Sequence, residues 1–245
     1  MAGRRVQLTP GYLLHHTPYR DTSRILEVLT RDHGRLTLFA RAVRGPKSRL
    51  AAVLQPFRSL LLSWSGRGEA PQLTGAELDG APRVLPAERL MAAFYLNELI
   101  LKLTTRHDPH PALHDAYARA LDGLAEEHVP VERPLRLFEK RLLDELGYGL
   151  DLETSTADGG AIDPVRFYQF RPEQGLVSAP ALAPGAIPGG SITALAREQL
   201  AGPKELEDAR RLLKAAIDHC LEGRELATRA VARAIEGRRR AARRN

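Results

Sequence analysis

Arg35, Arg41, Arg44, Lys47 and Arg49 lie within one stretch of the chain, around the turn Gly45-Pro46. Cations this close repel one another in water and gain only when an anion neutralises them, so phosphate or carboxylate is the chemistry they invite. Arg4 and Arg5 precede them, and Arg238, Arg239 and Arg240 close the chain in a tail that also holds Arg229, Arg233, Arg243 and Arg244. Arginine suits this work because its planar guanidinium stays charged and binds phosphate with two parallel hydrogen bonds. A third group, Arg133, Arg136, Lys140 and Arg141, sits beside Leu135, Leu137 and Phe138. Two readings stay open for it: an apolar pocket rimmed by cations for an acidic partner, or the solvent-facing charges of a helix pairing with Glu139, Asp144 or Glu145.

The distribution of charge supports the first two groups as an electrostatic footprint. Residues 1–80 carry twelve Lys/Arg against six Asp/Glu, and residues 224–245 carry eight against two, so a chain of net charge +6 has an acidic middle. Only five of the 36 basic residues are lysine, a bias that explains the choice of arginine but not its clustering. For base stacking between such cations the candidates are Trp64 and Tyr19, although a tryptophan on a strand also suits a core.

Catalytic constellations are not evident. His107, His110 and His114 stand close together, with the last two at a chelating spacing of four, but no carboxylate or cysteine is placed to complete a metal site. Asp151, Glu153, Asp158 and Asp163 lack the regular spacing of a calcium loop, and Gly66-Arg67-Gly68 is a hairpin turn, too short to cradle phosphate. The lone Cys220 falls on an apolar helical stripe with Leu213 and Ile217, where it reads as buried filler. We therefore expect no enzyme, no metal and no disulfide, in a reducing compartment. No apolar run approaches the roughly 20 residues that span a bilayer, and the start Met1-Ala2-Gly3-Arg4-Arg5 lacks a secretion signal, so a soluble cytoplasmic protein is expected.

The elements that must hold these groups follow from periodicity. Strand-like alternation covers residues 12–16, 24–30, 35–43, 57–64 and 71–78, with a short helix over 48–54 capped by Ser48. Five strands with a helix after the third is the order of an OB-fold, whose strand face and loops bind oligonucleotides; an SH3-like barrel fits the pattern equally. After Pro86 the spacing turns helical, over 87–105, 111–126, 134–146, 193–201 and 203–222, followed by the Arg-rich tail, which reads either as a helix adding nucleic-acid contacts or as a frayed end. Residues 149–190 interrupt the helices with a small hairpin around the turn 171–175. The expectation is an α+β chain: an OB-fold nucleic-acid-binding domain over 1–80, then a mostly α-helical domain over 81–245 with an irregular insertion at about 149–190.

Taken in order, Gly11-Tyr12-Leu13-Leu14, Arg20-Asp21-Thr22-Ser23-Arg24-Ile25-Leu26, Thr30 with Gly34, the basic loop, Leu54-Gln55-Pro56-Phe57, Tyr95-Leu96-Asn97-Glu98-Leu99, Arg136-Leu137-Phe138-Glu139 with Leu142-Leu143, and Leu146-Gly147-Tyr148-Gly149 resemble the RecO recombination mediators of bacteria over nearly the whole chain. The resemblance implies an OB-fold and a helical domain, binding of single- and double-stranded DNA, and annealing of complementary strands. It further implies contact with RecR and with the acidic C-terminal tail of the single-stranded DNA-binding protein, so that the RecA recombinase loads onto coated DNA, in a nucleoid-associated protein that is monomeric alone. Many relatives carry a four-cysteine zinc module where this chain reads 153–158 and 175–180 without a cysteine. Zinc needs four such deprotonated donors, so a metal-free hairpin held by Phe167, Tyr168 and Phe170 is expected. The competing functional reading is an OB-fold RNA-binding or ribosome-associated module, because basic loops alone do not distinguish the two sugars.

Overall fold

A computed structural model describes residues 5–43, 48–155 and 159–242, with the backbone path alone at residue 236 and over 238–242. Its strands are β1 (Arg5–Tyr19), β2 (Ser23–Thr30), β3 (Gly34–Ala40), β4 (Leu60–Ser65), β5 (Gln72–Leu78), β6 (Phe167–Arg171), β7 (Gly175–Ala179) and β8 (Ile187–Pro188). The helices are α1 (Arg49–Val53), α2 (Leu90–Leu103), α3 (Pro111–Ala125), α4 (Glu132–Glu145), α5 (Gly189–Ala196), α6 (Pro203–Leu221) and α7 (Ala227–Ala242).

Strands β1 to β5 close into a barrel in the order β1-β2-β3-β5-β4, with β3 and β5 parallel and α1 between β3 and β4, which is the expected OB-fold. Alternation decides which side chains fill it. Leu26 and Val28 of β2, Leu36, Leu38 and Ala40 of β3, and Leu60, Leu62 and Trp64 of β4 point inward into one apolar cluster. Trp64 is thus core, its ring edge-on to His33 at 5.2 Å, and the stacking role offered to it falls away. Strand β1 is longer than the spacing predicts: it starts at Arg5, and a bulge between Val6 and Thr9, with Leu8 in the left-handed region, breaks the alternation that would have revealed it.

Packing draws its own line between units: residues 1–126 with 226–245 form one, and residues 127–225 the other. The change of periodicity near residue 80 marks the end of the barrel strands, but α2, α3 and α7 pack with that barrel. Asn97 of α2 donates to the Leu14 carbonyl at 2.8 Å and accepts from the Tyr117 hydroxyl of α3, while Tyr12 of β1 meets Tyr117 and His114 with ring centroids 4.9 and 5.1 Å apart. Burial holds His114 below its usual pKa, despite Asp115 beside it. Gly34 is required where β3 begins: at φ +67°, a Cβ there would stand 2.1 Å from the Asp108 carbonyl oxygen. That close approach lets the connection between α2 and α3 lie along β3, with the His107 amide donating to the Arg35 carbonyl at 2.8 Å.

The tail begins as a helix. Glu98 of α2 accepts hydrogen bonds from the Ala227 amide at 2.7 Å, the Thr228 amide at 2.9 Å and the Thr228 hydroxyl at 2.6 Å, capping the positive end of α7 from outside. Burial raises the Glu98 pKa, yet these bonds bring it below the ordinary value. Arg229 lies over the Tyr95 ring at 5.6 Å, and residues 230–235 are exposed. In the second unit α4 and α5 pack on α6, and β6 pairs with both β7 and β8 as the expected hairpin with one added strand. Tyr168 of β6 is buried and its hydroxyl accepts from the Asp163 amide at 2.9 Å; Phe167 and Phe170 are half-buried.

Candidate nucleic-acid interface

The outer face of β1, β2 and β3 has three zones. Its lower end, at Tyr12 and Leu29, is buried, with the α3 side chains His114 and Tyr117 against Tyr12. In the middle Glu27 is held by Arg35 at 2.9 Å, by the Thr37 hydroxyl at 2.6 Å and by Arg106 at 2.7 Å. At the upper end Tyr19 and Phe39 meet edge to face with centroids 5.4 Å apart, and Tyr19 remains 38 % exposed. Two guanidinium groups flank the rings: Arg20 at 5.3 Å from the centroid of Tyr19 and Arg41 at 5.8 Å from that of Phe39.

Barrel geometry explains why this end gathers cations. Arg24 pairs with Ala40, Phe39 lies opposite Gln72, and the Phe39 amide donates to the Pro71 carbonyl at 2.9 Å. The loops over residues 20–22 and 66–71, and residues 41–43, therefore all lie around the top of β3. Arg20, Arg41 and Arg67 belong to these segments, Arg49 opens α1, and Asp21 and Glu69 are the only carboxylates of the three segments. Among the described residues Arg41, Arg49 and Arg67 have no carboxylate partner. Arg20 and Ala42 hold left-handed backbone at φ 50° and 54°, each at a cost of about 1–3 kcal/mol that ligand-binding loops commonly carry. The ladder Phe39–Gln72–Ser65–Arg5 leads from this end across roughly 14 Å at the usual strand spacing to Arg5, which is exposed.

Of the arginines that the sequence singles out, Arg5, Arg41 and Arg49 are exposed, with Arg41 beside the Phe39 ring. Arg35 is a correction. Its guanidinium is spent inside the molecule, on Glu27 and on the hydroxyl and carbonyl of Thr104 at 3.1 and 2.8 Å, because the odd positions of β3 point outward under the α2–α3 connection. Arg4, Arg44 and Lys47 lie outside the described residues, and for Arg238, Arg239 and Arg240 the helix α7 is described but not the side chains. Residues that the sequence reading did not single out are Phe39, Arg20 and Arg106. Phe39 was legible, since Leu36, Leu38 and Ala40 face inward and an aromatic residue between them must face outward.

The cationic helix in the second unit also needs correcting. Arg136 of α4 is buried, 6 % exposed, and paired with the buried Glu139 at 2.7 Å, because both fall on the packed side of the helix with Phe138, Leu142 and Leu143. Lys140 reaches Glu198 at 3.0 Å, Arg141 is half-buried, and Arg133 is exposed. A cation rim built on Arg136 is therefore absent. A shallow depression does lie beside Lys140, lined by Leu143, Leu150, Leu152 and Leu213, with Asp144 at its edge, whose carboxyl burial pushes up in pKa.

Among the described residues no group of three or more His, Cys, Asp or Glu side chains is gathered as metal ligands. In the two stretches that the resemblance assigns to a zinc module, Ser155 is buried, Thr154 bridges to Ala161, and Gly175–Ala179 is strand β7. No described helix is long and apolar enough to cross a membrane.

Comparison with known proteins agrees along the chain. Residues 5–80 match the family model for the recombination protein O N terminal, and residues 87–230 that for the recombination protein O C terminal. The protein is 39 % identical over 239 residues to the DNA repair protein RecO of Thiobacillus denitrificans, covering 94 % of this chain and 93 % of that one. It is 43 % identical over 212 residues to the protein of the same name from Nitrosococcus oceani, covering 86 % of each. The corresponding figures for Coxiella burnetii are 39 % over 227 residues, 92 % and 97 %. An OB-fold whose aromatic and cationic groups meet at one end, matched from barrel to last helix by these relatives, places the chain in the RecO family of DNA repair and recombination proteins.

Proposed function

We propose that this chain is a recombination mediator that binds single- and double-stranded DNA, anneals complementary strands, and helps load the RecA recombinase onto DNA coated with single-stranded DNA-binding protein. The observation that supports this best is the Tyr19–Phe39 pair between Arg20 and Arg41. Rings offer a stacking platform to any base, and the flanking guanidinium groups meet the phosphates on either side. Such a site binds without reading sequence, as annealing of arbitrary strands requires.

Annealing brings two polyanions together, so a second cationic surface on the same unit helps. Helix α7 supplies it: Arg233 is exposed, Arg238, Arg239 and Arg240 continue the helix, and Glu98 fixes its start. We read the protein as a binder, not an enzyme. Two of the barrel's carboxylates are committed to partners, Glu27 to Arg35 and Arg106, and Asp79 to the Ser59 hydroxyl at 3.1 Å. Zinc has no part in this reading. For protein partners we take RecR and the single-stranded DNA-binding protein. The acidic, apolar-ended tail of the latter would meet Lys140 beside the leucine-lined depression and Arg133 and Arg141 elsewhere on α4, with Arg136 held inside the helix packing.

The test is fluorescence anisotropy with a labelled single-stranded oligonucleotide, run in parallel with a DNA-against-RNA competition. Replacing Tyr19 and Phe39 by alanine should weaken binding by about 1–3 kcal/mol per stacked base lost. Unchanged affinity in that variant, or a clear preference for RNA, would set the mediator reading aside.

A further inference from the structure

Arg106 does not belong to the barrel. It sits on the connection between α2 and α3, bridged to Arg35 of β3, and this path lays its guanidinium on the outer face of the sheet against Glu27. Glu27 has no structural need of it. Arg35 already pairs with that carboxylate at 2.9 Å, Thr37 donates a second hydrogen bond, and Arg35 is itself completed by Thr104. The two arginines also differ in access, with side chains 11 % exposed for Arg35 and 54 % for Arg106. One cation is built in; the other is surplus, and the trio Glu27, Arg35 and Arg106 carries one net positive charge at neutral pH. Burial raises the Glu27 pKa, but the bonds from Arg106, Thr37 and Arg35 bring it below the ordinary value, so the carboxylate stays ionised. Glu69 is the other carboxylate close enough to act on Arg106.

Position gives the surplus charge a use. Along β2, Glu27 is one outward step from Ile25, and along β3, Thr37 is one outward step from Phe39, about 7 Å at the usual rise of a strand. We propose that Arg106 is a further contact to the nucleic-acid backbone, and that Glu27 fills its guanidinium fork in the free protein and gives it up to a phosphate when a strand lies across Tyr19 and Phe39. The inference rests on the barrel-face reading above. Exchange of one oxyanion for another is inexpensive for Arg106, whose own side chain is half exposed, because Glu27 keeps Arg35 and the Thr37 hydroxyl when it lets go. The exchange favours a ligand that stacks and presents phosphate together over a polyanion without bases, because only the former pays for displacing the carboxylate.

The experiment measures anisotropy of a labelled oligothymidylate over a range of NaCl concentrations, with heparin as a competitor, for the parent and for Arg106→Gln, Arg106→Lys and Glu27→Gln, each checked by a circular dichroism melt. We expect Arg106→Gln to weaken binding about 3- to 10-fold and to lower the salt slope by about 0.7, the value for one phosphate of a single strand. Arg106→Lys keeps the slope. Glu27→Gln binds the oligonucleotide about 2- to 5-fold more tightly and heparin more tightly still. Parent-like affinity and slope in Arg106→Gln overturn the inference, as does weaker binding by a folded Glu27→Gln; if Glu27→Gln does not fold, the two Arg106 variants decide. Loss of Tyr19 and Phe39 is the control: if that leaves affinity unchanged, the barrel-face reading itself has failed, and if it does not, an unaffected Arg106→Gln sinks this inference alone.

Discussion

Arginine does opposite work in the two units. At the top of the barrel Arg20 and Arg41 lie on aromatic rings, and Arg41 has no carboxylate partner among the described residues. In α4, Arg136 is sealed against Glu139 within the helix packing. Both segments read as basic in the sequence, and the local difference is acid: the stretch 35–49 has none, whereas 132–145 supplies Glu132, Glu139, Asp144 and Glu145. A cation with a carboxylate three residues along a helix has a partner before any ligand arrives. A cation in an acid-free loop has to wait for one.

Removing the buried partner tests that contrast most severely. Arg136→Ala strands Glu139 without its cation and should destabilise the second unit by about 3–5 kcal/mol, read by denaturant unfolding, with oligonucleotide affinity little changed while the protein remains folded. Arg41→Glu should do the reverse. Its stability stays within about 0.5 kcal/mol of the parent, the usual range for a surface change. Its affinity falls for all sequences alike, with a salt slope smaller by about one contact. If Arg41→Glu unfolds the protein, or Arg136→Ala leaves stability intact, the division between structural and ligand-facing arginine is wrong.

A smaller effect separates the units by pH. His114, whose pKa burial lowers in the folded state, takes up its proton more readily when unfolded, so its contribution is fully present above about 6.5 and is lost as pH falls below that. Thermal melts from pH 7.5 to 5.5 should show declining stability, and His114→Gln should flatten that decline, leaving the share of His16, which burial also lowers. The smallest expected effect is none at all: added zinc or a chelator should leave the melting temperature in place, and elemental analysis should find no stoichiometric metal.

The strands β3 and β4 were legible because inward and outward residues alternate cleanly, as in Leu36, Leu38 and Ala40 against Arg35, Thr37 and Phe39, whereas in β5 a register shift against β4 sets the inward Leu73 and Ala76 three apart. The start of β1 was not, since a left-handed Leu8 and a bulge erase the alternation there. For the site, the loop arginines could be read from charge, and Phe39 from strand parity. The fates of Arg35 and Arg106 could not, because their partner Glu27 is eight residues from one and 79 from the other, brought near only by closure of the sheet and by the close approach at Gly34. Likewise nothing local in Tyr95-Leu96-Asn97-Glu98-Leu99 announces that Asn97 ties α2 to β1 and that Glu98 caps a helix 129 residues later.

The central claim is that a nucleic-acid strand lies on Tyr19 and Phe39 at the top of the barrel. Photocrosslinking with an oligonucleotide carrying 4-thiothymidine, followed by mass spectrometric mapping, tests it most directly. Crosslinks should concentrate at Tyr19, Phe39, residues 41–43 and the loops over residues 20–22 and 66–71, and should vanish in high salt. Crosslinks confined to residues 127–225, or to the outer face of β4 and β5, would contradict it.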